Sequence, residues 1–209
     1  MRRRTGAGAV VLTTVVLLVA CGTPPWERAA PSGTASATSD ATSTGDATPE
    51  ASSPSAGAVA TGDLAGGNTS RSLTAGAATL AVDYWTDLAA AQWTAGATKP
   101  VSLSVTASEP GGSEIYLQRL RAVPTALDAS GAALESPAAF EDASSITPGY
   151  LMSDPYSYST SFSIGAVDPA TRSIRLDLTY EVLQRAQPGS GDFAKQTAHD
   201  TLTLGVAGG

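Results

Sequence analysis

The chain has 209 residues, of which 42% are hydrophobic, 6% aromatic and 15% charged, with 19 acidic side chains against 12 basic ones and a formal net charge of −7. An acidic balance of this kind argues against nucleic acid as a partner and against a polybasic contact with a membrane surface, both of which require a positive face. One cysteine and one histidine exclude an intrachain disulfide and leave little from which to build a metal centre.

The first informative stretch is the N-terminus. Met1-Arg2-Arg3-Arg4 precedes an apolar run over residues 7–20 that ends in Leu18-Val19-Ala20-Cys21. As a helix that run covers about 21 Å at 1.5 Å per residue, short of a hydrocarbon core of about 30 Å, so it reads as an export signal and not as a stable membrane span. The four closing residues resemble the lipobox of bacterial lipoprotein precursors, which has an aliphatic residue, a small or aliphatic one, Gly/Ala/Ser and a cysteine. The resemblance implies that the Cys21 thiol receives a diacylglyceryl group and that a signal peptidase cuts before it. Cys21 would then be the mature N-terminus, lipid-anchored on the extracytoplasmic face of the cell membrane. Two acyl chains suffice for stable anchoring where a single one is marginal. Loss of residues 1–20 removes three arginines and leaves nine basic against 19 acidic residues, a mature charge of −10. The bias toward arginine over lysine, with abundant Ala, Gly, Thr and Ser, resembles high-GC actinobacterial composition.

Residues 22–78 consist almost wholly of Ala, Gly, Pro, Ser and Thr. No apolar period survives there, and such a segment cannot bury enough surface to offset its ordering entropy, so residues 21–78 are expected to form a disordered tether carrying the lipidated cysteine. Its root-mean-square span would be about 40 Å. The Ser/Thr/Pro content resembles O-mannosylated stalks, with an unmodified spacer as the alternative. Asn68-Thr69-Ser70 fits an N-glycosylation sequon by chance.

Residues 79–209 are expected to form one all-β domain. Leu80, Val82 and Tyr84 alternate with polar or small residues, as do Val101, Leu103 and Val105. In residues 115–123 the apolar phase slips between Leu117 and Leu120, which predicts a bulge near Gln118 and Arg119. Phe162, Ile164 and Ala166 alternate next, and residues 174–182 alternate strictly from Ile174 to Val182. The turn chemistry of Asp168-Pro169-Ala170-Thr171 between these two runs suggests a hairpin. Leu202, Leu204 and Val206 give an exit strand. Single helical turns are expected after Asp87 and after Ser136-Pro137. About seven short antiparallel strands without a sustained helical period point to an immunoglobulin-like two-sheet sandwich, with a closed barrel as the alternative.

Chemistry is harder to find. His199 lacks nearby partners and reads as a surface or sheet-edge residue. No nucleophile elbow, Ser-x-x-Lys, His-Glu-x-x-His, Walker or dinucleotide motif occurs. The carboxylates Asp83, Asp87, Glu141, Asp142, Asp154, Asp168 and Asp192 read as solvated turns, although two at suitable separation would serve a glycan hydrolase. Trp85 and Trp93 read as core and rim. In residues 147–158, Tyr150, Tyr156 and Tyr158 sit among Pro and Gly and form the one candidate binding surface, since tyrosine combines a flat apolar face with a polar tip. The reading that follows is a non-enzymatic envelope lipoprotein that needs no cofactor or metal and whose head binds or scaffolds an envelope protein or wall glycan. The alternative is a carboxylate-dependent hydrolase of cell-wall glycan.

Overall fold

The computed structural model describes residues 61–208. In chain order the strands are β1 (Asn68–Ala75), β2 (Ala78–Trp85), β3 (Lys99–Ser108), β4 (Ile115–Leu127), β5 (Phe140–Ala143), β6 (Tyr150–Leu151), β7 (Tyr158–Ile164), β8 (Ser173–Arg185) and β9 (Phe193–Gly205). They form two antiparallel sheets, one ordered β1-β2-β3-β7 and the other β5-β4-β8-β9, with β6 also laid against β4. The fold is a β-sandwich. Its wiring is immunoglobulin-like: β7 returns beside β3 in the first sheet, while β4, β8 and β9 lie side by side in the second, as the B–E and C–F–G strands do in that architecture. β1 adds a strand outside the A position and β5 occupies the C′ position.

The core follows from alternation. Leu80, Val82 and Tyr84 of β2, Val101, Leu103 and Val105 of β3, and Ile174, Leu176, Leu178, Tyr180 and Val182 of β8 are all buried, with their neighbours in sequence facing out. The bulge lies where the phase slip predicts it, since the β4–β8 register shifts between Leu117 and Arg119. Without it Leu120 and Ala122 would face solvent; with it both are buried.

Three expectations need correction. The folded head does not begin at Thr79, because β1 lies within the segment assigned to the tether. β1 pairs with β2 over its whole length, from Asn68↔Trp85 to Ala75↔Ala78, through a two-residue turn in which Gly76 takes φ +63°. Further upstream, Leu64 is buried, the Asp63 N–H donates to the Thr203 carbonyl at 2.8 Å, and the Asp63 carboxylate meets Arg71 at 2.6 Å. Gly205 makes this seam possible, since a Cβ there would stand 2.1 Å from the Thr61 carbonyl oxygen. The segment shows no apolar period because backbone pairing carries most of β1, and only Leu64, Leu73 and Ala75 reach the core.

The second correction concerns the expected hairpin of residues 162–182. β7 pairs with β3, and β8 pairs with β4 and β9, so the turn at Asp168 carries the chain from one sheet to the other. Both alternating runs are strands, but each finds a better partner than its neighbour in sequence. The third concerns the helical turns. A 3-10 turn forms at Ala90–Gln92 without a side-chain cap, and Thr86 rather than Asp87 bonds the local backbone through the Leu88 N–H at 3.2 Å. No helix follows Ser136, whose hydroxyl accepts from the Ala126 N–H at 3.0 Å and keeps the chain extended toward β5.

These contacts make the N-terminal boundary measurable. A chain starting at Thr79 lacks β1 and Leu64, and burial of a leucine alone contributes about 2 kcal/mol. Its denaturation midpoint is expected well below that of a chain starting at Thr61. Equal midpoints would mean that β1 contributes nothing to the head.

Candidate functional site

The three tyrosines do not share one exposed surface. Tyr158 follows the inward phase of β7 with Phe162 and Ile164, is only 7% exposed, and donates its hydroxyl to Asp142 on β5. Tyr150 of β6 is half-buried and stacks on Tyr158 with ring centroids 5.5 Å apart. Gly149 lets β6 lie against β4, because a Cβ there would lie 2.5 Å from the Leu117 carbonyl oxygen. Tyr156 precedes β7, is 57% exposed, and lies with Asp154 and Pro155 beside Thr79, Ala81, Thr106 and Ser108. Tyr150 and Tyr158 therefore close the edge of the sandwich, and only Tyr156 is free to meet a partner. Cys21 lies outside the described residues.

The carboxylates are dispersed and largely engaged. Asp83 accepts from the Ser70 hydroxyl at 2.5 Å, Asp168 from the Ala170 N–H at 2.7 Å, and Glu141 and Asp142 point to opposite faces of β5. Glu141 and Glu181 line one depression with Arg119, Arg121 and Thr179, but Arg119 stands between them, 3.6 Å from Glu141 and 3.1 Å from Glu181. Hydrogen bonds from Lys195 and Arg119 hold Glu181 below the usual carboxylate range, opposite to the shift a general acid requires. The hydrolase reading gains no support from this geometry. His199 is exposed on β9, with Nδ1 at 3.3 Å from the Thr179 hydroxyl, and no group of three metal-ligating side chains occurs among the described residues. Trp93 is buried, its indole N–H donating to the Leu88 carbonyl at 3.0 Å, whereas Trp85 is half-buried on the outer side of β2.

What distinguishes the head is the contrast between its two outer faces. The second sheet presents Arg119, Arg121, Glu141, Arg175, Asp177, Glu181 and Lys195, tied by ion pairs such as Lys195–Glu181 at 2.6 Å and Arg175–Asp177 at 3.0 Å. Exposed pairs of this kind contribute about 0 to 1 kcal/mol each and mainly keep the face solvated. The first sheet is almost free of charge. Its outward columns are Ser70, Ser72 and Thr74 on β1, Thr79, Ala81, Asp83 and Trp85 on β2, Ser102, Ser104, Thr106 and Ser108 on β3, and Ser159, Ser161 and Ser163 on β7. Asp83 is the sole ionisable group within these columns, and Asp154, between β6 and β7, stands beside their Thr79 end. Registers align these into rows that cross all four strands, one of them Ser70↔Asp83↔Ser104↔Ser159. Hydroxyls bond along the rows: Ser159 donates to Ser104 at 3.0 Å, and the Ser102 and Ser161 oxygens are 2.7 Å apart.

Reading the sequence alone missed this surface. Alternate serines are visible in residues 102–108 and 159–163, where they signal only an outward face. Joining the columns requires knowing that β3 lies between β2 and β7, which the apparent β7–β8 hairpin concealed. No protein-family model matches the chain, and no curated protein matches it in sequence.

The buried tyrosines give a direct optical test of the core. Burial, together with neighbouring phenol and carboxylate groups, raises Tyr84, Tyr158 and Tyr180 above the ordinary value of 10.0. A raised value means that the neutral phenol is favoured by folding, so this contribution to stability is complete below about pH 10 and is lost as the pH rises above it. In a spectrophotometric titration, the tyrosinate signal of the folded head should fall short of the amplitude for six tyrosines, the remainder appearing only with unfolding. The full amplitude from a protein still folded at pH 11 would contradict the burial of these groups.

Proposed function

We propose that the chain is an exported lipoprotein, anchored through acyl groups on Cys21, whose β-sandwich head is a non-enzymatic binding module of the cell envelope. The observation that carries the binding role is the division of labour between the two outer faces. One is laced with charge pairs that favour solvent, while the other is broad, nearly uncharged and lined by ordered hydroxyls. Anchoring is supported by the complete Leu18-Val19-Ala20-Cys21 pattern after three arginines. Among the described residues no helix is long and apolar enough to cross a membrane.

The chain enters the head beside Gly205, where Thr61 and Gly62 meet the end of β9, and Gly62 bridges Leu204. Trp85 lies at the same end of β2, and Tyr156 lies near its other end, beside Thr79. Among the described residues, the outward side chains of Thr106 and Ser108 on β3 and of Ser159, Ser161 and Ser163 on β7 are exposed. A lipid anchor and a non-catalytic docking face together describe a protein that holds a partner at the membrane.

Anchoring is tested by comparing the native chain with Cys21→Ala. Metabolic acyl labelling and partition into the detergent phase are expected for the native chain and abolished in the variant. Equal labelling of the two would remove the anchor from this account.

A further inference from the structure

We propose that the outer face of the first sheet binds a neutral polysaccharide lying flat on the strands. The proposal rests on the reading of this face as the docking surface and supplies its ligand.

Charge decides first. An anionic polymer, nucleic acid included, requires cations, and the outward columns of β1, β2, β3 and β7 carry no Lys, Arg or His. Asp83, and the charge of −10 on the mature chain, repel such a ligand. A protein partner is disfavoured by composition, because interface cores are enriched in aromatic residues, Met and Arg and depleted of Ser and Ala. A second copy of the chain would set two such faces together, with little apolar area to bury and an Asp83 on each side.

Chemistry then favours a polyol. Each Ser or Thr hydroxyl both donates and accepts, as each sugar hydroxyl does, so a lattice of them meets a neutral glycan without leaving a charge unpaired. The lattice is already oriented. The contacts Ser159–Ser104, Ser102–Ser161 and Ser70–Asp83 fix side chains before a ligand arrives, which lowers the entropic cost of binding. One Asp83 oxygen takes the Ser70 proton, and the carboxylate keeps capacity to accept from a sugar hydroxyl.

Apolar contact comes from the two ends. Trp85 lies in the row Trp85↔Ser102↔Ser161, and Tyr156 lies against Thr79 and Ala81 toward the opposite end of β2. At about 3.3 Å per residue, the stretch from Ala81 to Trp85 spans about 13 Å, room for a short run of sugar rings between the exposed Tyr156 and the half-buried Trp85. Burying the C–H faces of those rings against indole and phenol supplies the hydrophobic contribution that hydroxyl pairing alone lacks.

The test uses the full mature lipoprotein in detergent, co-sedimented with insoluble β-glucan, α-glucan and galactan, with peptidoglycan as the charged comparison. Retention on at least one neutral polymer is expected. It should fall at least tenfold in Ser104→Arg and in Trp85→Ala, and stay unchanged in Thr179→Arg on the opposite face. Thermal melts identify any variant that fails to fold, and two variants at separate rows keep the result readable. Retention by none of the neutral polymers overturns the proposal while leaving the docking face in place. Retention on peptidoglycan alone, or self-association, that Ser104→Arg abolishes also overturns it, and assigns the same face a different occupant. Undiminished retention in both Ser104→Arg and Trp85→Ala overturns the proposal and the choice of face together.

Discussion

A hydrogen-bonded chain through the core fixes how the two sheets meet. Tyr84 of β2 donates its hydroxyl to Asp200 of β9 at 2.8 Å, and its oxygen lies 2.8 Å from the hydroxyl of Tyr180 on β8. An ionised carboxylate only accepts, so the Tyr84 proton goes to Asp200 and Tyr180 must donate to Tyr84. Both rings are fully buried. Apolar packing between sheets is non-directional and tolerates sliding, whereas this chain has one solution. At the other side of the sandwich Tyr158 of β7 donates to Asp142 of β5. The two edge strands of the second sheet thus each turn one acid inward, and each acid takes a proton from a core tyrosine of the first sheet.

The outer faces follow from that alignment. Because side chains alternate with a period of two, fixing Tyr84 inward fixes Asp83 and Trp85 outward, and fixing Tyr158 inward fixes Ser159 outward. A slip of one residue in β2 would break up the row from Ser70 to Ser159 and put Asp83 among the apolar side chains. The same reasoning explains the bulge at Gln118. It returns Leu120 and Ala122 to the core while leaving Arg119 and Arg121 out with Glu141 and Glu181. Core and surface are therefore two sides of one constraint, and the contrast between a charged face and a hydroxyl face is available only when every strand holds its phase.

Much of this was legible in the residues. Strict alternation located β2, β3 and β8, the phase slip located the bulge, and the all-β class followed from the lack of a helical period. What stayed hidden has physical reasons. β1 is held by backbone pairing, with Leu73 as its one large apolar side chain, and so resembles linker. The turn at Asp168 has the local chemistry of a hairpin, and only the competing partners β3, β4 and β9 send β7 and β8 to different sheets. Tyr150, Tyr156 and Tyr158 are near neighbours in sequence, yet the inward phase of β7 takes Tyr158 into the core and leaves Tyr156 outside it. The hydroxyl face escaped notice because it is a property of strand order, and Ser102, Ser159 and Ser70 gain their meaning only as neighbours.

The direction of proton donation makes the central link testable by a double-mutant cycle on unfolding free energy. Tyr84→Phe strands both the Tyr180 hydroxyl and the inward oxygen of Asp200, which costs about 1 to 3 kcal/mol, whereas Tyr180→Phe removes a donor and leaves the Tyr84–Asp200 bond intact. Tyr84→Phe is therefore predicted to be the more destabilising, and adding Tyr180→Phe to it should bring little further loss or a partial recovery, because the stranded hydroxyl is gone. Equal, additive costs for the two substitutions would contradict a single directed chain between the sheets.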